Sequence, residues 1–341
     1  MASSPSYAPR GAPATAVSLA YGAMPAMPTA SAALAGATMG TTWSARLALP
    51  RGRTEAEARH AIQAALDDVV AQMSTWEPDS DITRYNRAAT GWQTLPAGFF
   101  HVLSHALALA EDSGGAYDPT VGPLVNAWGF GPHQRAFEPP SPSAIEAART
   151  RCGWRRVQLD AQHQAALQPG GAYLDLSSIA KGYGVDRAAM ALDALGITQY
   201  LVEVGGELRA RGKRPDGQPW RVAIEVPDAS DDHALALPLR DHSIATSGDY
   251  RRHAGNGDER YAHTIDPRTG LPVRNNLASV TVLHPGCMEA DALATALTVL
   301  GEEEGLAYAR RHELAALFIL RERDAWRVVA TPAFQALAAI S

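Results

Sequence analysis

Cysteine is scarce in this sequence of 341 residues, which contains only Cys152 and Cys287. Two thiols cannot form a disulfide framework or a four-thiolate zinc site. Both are expected to be small buried hydrophobic residues. Basic residues are not in excess either, since 30 lysines and arginines stand against 36 acidic residues, for a formal net charge of −6. A nucleic-acid partner is therefore not expected.

Long apolar runs are missing as well. No stretch of about 18 apolar residues occurs, so the sequence predicts no membrane-spanning helix. Residues 1–37 are rich in Ala, Pro and Ser and are predicted to be a disordered arm. This arm lacks a basic start with an uninterrupted apolar run, as in a secretory signal, and has no cysteine that could carry a lipid. As it stands, the sequence predicts a soluble protein.

Two common nucleotide-binding motifs are absent. No phosphate-binding loop ends in Gly-Lys-Ser or Gly-Lys-Thr, and residues 182–184 lack the third glycine of the dinucleotide fingerprint because Arg187 stands there. His101 and His105 lie four residues apart on a predicted helix and could form a metal pair. No third ligand lies near them in the sequence, so packed or surface histidines are the favoured interpretation.

The composition is that of a folded protein, with 46% apolar and 19% charged residues. The length exceeds what one hydrophobic core usually serves. Residues 38–335 are therefore predicted to form one large domain or two fused subdomains, followed by a tail over residues 336–341. Strands cluster without regular βαβ alternation, which predicts an α+β fold with mixed, mainly antiparallel sheets packed against helices.

Local signals mark several elements. Thr54 and Glu57 form a capping box that predicts a helix up to about Met73, and Ser143 with Glu146 predicts a second, shorter helix. A further helix is predicted near the C-terminus and should end at a glycine, residue 301. The segments 200–211 and 220–226 are predicted to pair as strands around a Pro-Asp-Gly-Gln turn.

The helix before residue 301 carries two oxygen-bearing side chains among Ala and Leu residues. Asp291 and Thr295 are four residues apart, so they share one helical face. A carboxylate and a hydroxyl in an apolar helix are costly unless they are satisfied. Mg²⁺ would satisfy both, because it takes oxygen ligands, keeps waters and accepts phosphate oxygens. The alternative is that Asp291 caps a neighbouring loop and Thr295 bonds back to its own helix.

Four other segments each allow a functional and a purely structural interpretation. Residues 175–182 form a strand-to-helix junction that could receive an anion, with Lys181 adding positive charge, or could be an ordinary capped helix. The aromatic and glycine residues of 115–131 could stack on a flat ring or pack as a loop. The hydroxyls of 246–250 could bind phosphate or end a strand. His263, near an acid, could act as a base or be structural.

The order of these segments along the chain is more specific than any one of them. Together they resemble the ApbE family, the FAD:protein FMN transferases, over about residues 38–335. The blocks that carry the resemblance are Met39-Gly40-Thr41-Thr42, Ser74-Thr75-Trp76, Tyr117-Asp118-Pro119-Thr120, Asn126 to Gly131, Asp175 to Gly182, Val204-Gly205-Gly206-Glu207, Thr246 to Tyr250, His263 to Gly270 and Ala290 to Thr295.

The resemblance implies a fold related to the T-fold, with FAD in a cleft between subdomains and Mg²⁺ on its pyrophosphate. The side chains of Asp291 and Thr295 and the main-chain carbonyl of Ser178 would hold the metal. His263 matches a family histidine proposed to deprotonate the acceptor. The resemblance also implies FAD contacts at Met39, Trp76, Ala116, Tyr117, Asp118, Asp175, Lys181 and Ile265. Family members are usually anchored in the periplasm by a lipoprotein signal, which this sequence does not contain.

The implied reaction moves FMN from FAD to a threonine hydroxyl of an acceptor flavoprotein and releases AMP. One alternative is a pyrophosphatase that splits FAD into FMN and AMP in the same site. Another is a flavin-binding protein without catalysis, which the pair Asp291 and Thr295 and the base His263 disfavour. Self-flavinylation at residues 243–246, which loosely resemble the acceptor pattern, is also disfavoured because these residues belong to a family block.

Overall fold

The computed structural model describes residues 31–132, 138–225, 235–248, 253–254, 261–323 and 325–340. The helices in this part are α1 Glu55–Met73, α2 Asp81–Arg87, α3 Ala97–Asp112, α4 Gly122–Ala127, α5 Pro142–Arg149, α6 Ser177–Ala194, α7 Cys287–Arg311 and α8 Pro332–Ile340. The strands are β1 Ser31–Thr38, β2 Thr41–Ala48, β3 Gly91–Thr94, β4 Leu159–Asp160, β5 Ala165–Gln168, β6 Tyr200–Val204, β7 Glu207–Arg211, β8 Trp220–Ile224, β9 Leu235–Leu239, β10 Ser243–Gly248, β11 His253–Ala254, β12 Tyr261–Ala262, β13 Ile265–Asp266, β14 Leu271–Pro272, β15 Leu277–His284, β16 Ala315–Glu322 and β17 Ala325–Ala330.

The centre of the fold is an eight-stranded sheet in the order β1-β2-β6-β7-β10-β15-β16-β17. Each neighbouring pair in this sheet is antiparallel. The α+β class with mainly antiparallel sheets, predicted from the sequence, is confirmed. In the described part of the chain, no helix is both long and apolar enough to cross a membrane.

Helices cover one face of this sheet. Helices α1 and α6 pack on the β1, β2 and β6 end through one apolar cluster, and α7 packs on β10, β15 and β16 through another. The opposite face is covered by the β8–β9 hairpin and by α8. Outside α6 and α7 lies a further layer that contains α2, α3 and the small sheet β3-β5-β4. Helices α6 and α7 are therefore buried between two layers.

Helix α1 follows its sequence signals. The Thr54 hydroxyl accepts the amide of Glu57 at 3.2 Å, and the Glu57 carboxylate accepts the amide of Thr54 at 2.8 Å. These two bonds complete the predicted capping box and satisfy amides that the helix itself leaves without a partner. The predicted end of the C-terminal helix at Gly301 is also confirmed. Gly301 has φ 78° and ψ −170° inside α7, which breaks the helical path before a second helical segment continues to Arg311.

Both predicted chain termini need correction. Residues 31–37, assigned to a disordered arm, form most of β1 and pair with β2 in full register. Alternate small side chains, among them Ala32 and Leu34, are buried beneath α1, and this alternation is hard to see in an Ala-rich segment. The rest of the predicted arm, residues 1–30, lies outside the described residues. The predicted tail from residue 336 is wrong up to residue 340, because α8 continues through it.

Two local predictions are also wrong. Ser141, not Ser143, caps α5, since its hydroxyl accepts the amide of Ala144 at 3.2 Å. The segment 200–211 is itself a hairpin, in which β6 and β7 pair around a Gly-Gly turn. The turn predicted near residue 216 exists, but it leads to β8, which pairs with β9 in a separate sheet. The turn residues therefore predicted where the chain reverses, but they did not predict which strands pair with each other.

Candidate active site

The candidate site begins where α6 and α7 touch. A Cβ atom at Gly182 would lie 2.2 Å from the carbonyl oxygen of Cys287 and 2.8 Å from Cβ of Asp291. Real Cβ atoms do not approach this closely, so only glycine permits this helix contact. The Gly182 amide donates to Oδ2 of Asp291 at 3.0 Å. The Asp291 carboxylate is therefore bound directly to the backbone of the neighbouring helix.

The start of α7 is fixed by a side chain of α6. The Asp186 carboxylate accepts the amide of Cys287 at 2.9 and 3.0 Å and the amide of Met288 at 2.9 Å. These are amides of the first turn, which have no partner within their own helix. Asp186 also forms an ion pair with Arg209 of β7. Asp186 thus caps α7 from outside and sets its position along α6.

Lys181 lies between two buried carboxylates. Its Nζ is 2.6 Å from Oε1 of Glu207 and 3.5 Å from Oδ1 of Asp291. The carboxylate side chains are 5% and 4% exposed, and the lysine side chain is 29% exposed. Oε2 of Glu207 is buried and has no hydrogen-bond partner among the described residues. Two acids against one ammonium leave this cluster with an excess of negative charge.

The pKa values in this cluster follow from burial and from that charge imbalance. Burial acts to lower the pKa of Lys181, but the charges of Asp291 and Glu207 outweigh it and raise that pKa, so the ammonium stays protonated. Burial, together with the charge of Asp291, raises the pKa of Glu207 to about 7 against the opposing effect of Lys181. One ammonium does not fully compensate two carboxylates in a low-dielectric setting.

Further oxygen donors lie beside Asp291. The Thr295 hydroxyl, one helical turn later, is 3.0 Å from the Ser247 hydroxyl of β10. In a regular helix the Gly182 amide pairs with the carbonyl of Ser178, four residues earlier. The same amide donates to Asp291 of the neighbouring helix. Asp291 and Thr295 lie on α7, and Ser178 lies in the first turn of α6, the helix that Asp291 contacts through the Gly182 amide.

The start of α6 is tied to the 116–120 segment. The Ser178 hydroxyl donates to the Tyr117 hydroxyl at 3.1 Å, and the Asp175 amide donates to the carbonyl of Pro119 at 2.8 Å. Burial raises the pKa of the Tyr117 phenol, so it remains neutral. Met39 lies in the β1–β2 turn at φ 49° and packs against both helix-facing clusters. These contacts place four predicted FAD or metal contacts around the N-terminal half of α6.

Asp118 is held by its own loop. Its Oδ1 accepts the amide and the hydroxyl of Thr120 at 2.7 and 2.6 Å, and its Oδ2 accepts the amide of Trp154 at 3.3 Å. Burial raises the pKa of this carboxyl and these hydrogen bonds oppose the shift. Asp118 also lines a cavity of about 230 Å³ together with Arg149 and Pro267. Pockets that enclose whole ligands begin at about 300 Å³, so this cavity is too small for a complete dinucleotide.

The remaining predicted residues lie in segments outside α6 and α7. Trp76 is 53% exposed in the turn after α1, which leaves an aromatic face open. Ala116 is buried. Ile265 is buried against Leu124 and Trp128, and His263 lies part-buried between β12 and β13.

The residues at the junction fit a hard divalent cation. Among the described residues, no three His, Cys, Asp or Glu side chains are grouped so that they could hold a metal. The available donors are instead one carboxylate, a hydroxyl and a backbone carbonyl. Mg²⁺ is bound in this way in many proteins, with waters and substrate phosphates completing its six ligands. The excess of negative charge in the cluster around Lys181 is consistent with a cation here.

Three contacts in this region were not predicted as parts of the site. Glu207 stands in a family block, but nothing in its spacing connects it with Lys181. Ser247 was noted only for its hydroxyl, and Asp186 carried no signal at all. Their roles depend on which strand or helix lies next to α7, which is a property of the tertiary fold.

The sequence model of the ApbE family matches residues 39–318. The chain belongs to the ApbE family. Among its relatives, a FAD:protein FMN transferase of Haemophilus influenzae is 40% identical over 315 residues, which cover 89% of this chain and 90% of that protein. A FAD:protein FMN transferase of Escherichia coli is 38% identical over 308 residues, which cover 89% and 88% of the two chains.

Solved structures show the same ApbE fold. The flavinyl transferase ApbE of Pseudomonas stutzeri, in its apo form, superimposes with a TM-score of 0.86 at 38% identity, over 92% of this chain and 99% of that one. The flavin transferase ApbE of Vibrio cholerae gives a TM-score of 0.84 at 38% identity, over 91% and 99%. Fold and sequence therefore agree on the family, and this ApbE chain is an enzyme of the flavin transferase type.

Proposed function

We propose that this protein transfers FMN from FAD to a threonine hydroxyl of an acceptor flavoprotein and releases AMP, with Mg²⁺ as the metal. The observation that supports the proposal most strongly is the contact of α6 with α7, in which the Gly182 amide binds the Asp291 carboxylate. Thr295 lies one turn later on α7, and Ser178 lies one turn before Gly182 on α6. The relatives named above carry the corresponding activity in their names. The proposal adds three points to the activity in those names: the metal is Mg²⁺, the acceptor group is a threonine hydroxyl, and the second product is AMP.

The reaction is a phosphoryl-type transfer. The threonine oxygen attacks the phosphorus on the FMN side of the FAD diphosphate, the bond from that phosphorus to the AMP oxygen breaks, and AMP leaves. Such reactions depend on positioning and on neutralising charge. Bound Mg²⁺ would supply charge neutralisation at the diphosphate.

The residues of the chain have separate tasks in this scheme. Asp291, Thr295 and the Ser178 carbonyl would hold the ion, and the Lys181 ammonium would bind the nucleotide. Tyr117 and Trp76 offer aromatic surfaces to the flavin. Met39, Ala116, Asp118, Asp175 and Ile265 are proposed as its remaining contacts. Each of these assignments is testable by substitution.

His263 is proposed to accept the proton of the attacking hydroxyl. A positioned general base contributes about 10²–10⁴-fold to a rate. The segment that follows it is anchored, because the Trp128 indole donates to the carbonyl of Gly270 at 2.9 Å and the Val273 amide donates to that of Thr264 at 3.0 Å. His263→Ala is expected to lose transfer by this factor while FAD binding, measured by flavin fluorescence, is unchanged. Unchanged transfer would exclude His263 as the base.

Product analysis separates transfer from hydrolysis. The protein is incubated with FAD and Mg²⁺, with and without a co-purified candidate acceptor. The proposal predicts AMP and one FMN-phosphate adduct on an acceptor threonine, found by peptide mass spectrometry, and little free FMN. Equal FMN and AMP release with no adduct, whether or not the acceptor is present, would identify a FAD pyrophosphatase instead. Tight FAD binding without any product would identify a flavin-binding protein.

A further inference from the structure

The Lys181 ammonium stands next to the proposed cation site, and this creates a conflict. The lysine side chain and a divalent cation are both positively charged. Among the described residues, Glu207 is the acid nearest to the ammonium, and Asp291 is the next nearest. A cation bound to Asp291 would repel an ammonium 3.5 Å from the same carboxylate. The structure needs a second group that keeps the ammonium close without using Asp291.

Glu207 has the geometry for this task. Its contact to the ammonium, 2.6 Å, is much shorter than the 3.5 Å contact from Asp291. The side chain is 5% exposed, so water does not replace it as a partner. Charge-assisted hydrogen bonds of this length are the strong ones in proteins.

The position of Glu207 is fixed by a tight hairpin. Glu207 pairs with Val204 across the two-residue turn that joins β6 to β7. Both turn glycines have positive φ, 59° for Gly205 and 109° for Gly206, as this turn requires. The Gly206 amide donates to the Glu203 carboxylate at 2.8 Å, which holds the turn from the other side. Glu207 therefore presents its carboxylate from a rigid sheet end and not from a free loop.

We propose that Glu207 is a positioning residue that holds the Lys181 ammonium and so leaves the Asp291 carboxylate available to the divalent cation. This inference rests on the proposed function, since it takes the cation site at Asp291 as given. Without the Glu207 charge, the ammonium has Asp291 as its nearest described acidic partner and competes with the cation for it. The substitution therefore acts on the cation through Lys181.

The test measures binding of Mn²⁺ alone, as a stand-in for Mg²⁺, from the electron paramagnetic resonance signal of the free ion. Glu207→Gln keeps the size of the side chain and removes its charge. It is expected to weaken Mn²⁺ binding by about tenfold, because the released ammonium then competes with the ion for the Asp291 carboxylate. In a Lys181→Met background the same change is expected to cost about threefold or less, because the competing ammonium is gone.

Glu203→Gln is the matched control. Glu203 is a half-buried acid of the same hairpin, and it contacts Ser44 and the Gly206 amide but not Lys181. If loosening the hairpin were the cause, Glu203→Gln would weaken Mn²⁺ binding as much as Glu207→Gln does. The proposal predicts normal Mn²⁺ binding for Glu203→Gln, whatever the change in its unfolding temperature.

The outcomes distinguish this inference from the proposed function. Loss of Mn²⁺ binding in Asp291→Asn, with a tenfold weakening in Glu207→Gln, supports both. Normal binding in Glu207→Gln, with loss in Asp291→Asn, overturns the inference alone. An equal penalty with and without Lys181 overturns it too, because Glu207 would then act on the cation directly. Mn²⁺ binding unaffected by Asp291→Asn, or absent from the unaltered protein, overturns the proposed cation site and the inference with it.

Discussion

Gly182→Ala is the substitution that tests the α6–α7 junction most sharply. The added Cβ would lie 2.2 Å from the Cys287 carbonyl oxygen, 2.7 Å from its carbon and 2.8 Å from Cβ of Asp291. Two of these atoms belong to the backbone of a buried helix and cannot rotate away. The helices must separate by nearly an ångström to relieve the contact.

The expected size of the effect follows from two opposing terms. Alanine is favoured over glycine in a helix interior by about 0.5–1 kcal/mol. Overpacking of a well-packed core costs about 1–3 kcal/mol, and a clash with backbone belongs at the upper end. The net loss of unfolding free energy should therefore be about 2 kcal/mol. Moving Asp291 by this distance should also reduce transfer by about 100-fold, the usual cost of a misplaced group.

Gly184→Ala supplies the control on the same helix. Its added Cβ would meet the terminal methyl of Met39 at 2.9 Å and that of Leu66 at 3.2 Å, and a flexible methionine can move. Urea unfolding should place this variant within about 1 kcal/mol of the unaltered protein. If Gly182→Ala is as stable and as active as Gly184→Ala, the helix contact described here is not required and the reasoning fails.

Three further predictions concern stability. Thr54→Ala should lower the free energy of unfolding by about 1 kcal/mol, because it removes the capping box of α1. An unchanged free energy in chemical denaturation would show that the capping box does not stabilise the protein. Asp186→Asn should lower the free energy of unfolding by about 2 kcal/mol, because it weakens the hydrogen bonds to the amides of Cys287 and Met288. It should also raise the Mg²⁺ concentration needed for half-maximal transfer. A loss of stability with no change in that concentration would show that this cap does not affect the cation site. Burial raises the pKa of the Glu203 carboxyl above 4.5, so the folded protein binds the carboxyl proton more tightly than the unfolded chain does. The free energy of unfolding that this carboxyl contributes is therefore lost as the pH rises through its folded-state pKa. The stability of Glu203→Gln relative to the unaltered protein should therefore rise as the pH increases above 4.5 in urea titrations, and a constant difference would refute the shift.

The sequence predicted the elements with strong local chemistry. The capping box at Thr54, the glycine break at residue 301 and the placement of Asp291 and Thr295 one turn apart on one helix are all set by neighbours within one or two helical turns. These signals are complete in a short window, so the sequence alone could find them. The Ala-rich strand β1 was missed because alanine carries little periodic contrast and the burial of Ala32 and Leu34 depends on α1.

The contacts that complete the site come from elsewhere in the chain. Glu207 is 26 residues beyond Lys181, Ser247 is 48 residues before Thr295, and Asp186 reaches an amide 101 residues away. Which of these residues meet is decided by the order of strands in the central sheet and by the packing of α6 against α7. No local pattern contains that information, which is why they were not assigned to the site from the sequence.

The central claim is that a divalent ion held by Asp291 and Thr295 lies on the diphosphate of FAD. Crystals grown with FAD and Mn²⁺ test it directly, because Mn²⁺ gives an anomalous signal that locates the ion. The account predicts one peak in contact with both side chains and with the Ser178 carbonyl, next to the diphosphate. A peak at another place, or a diphosphate bound away from this junction, would contradict it.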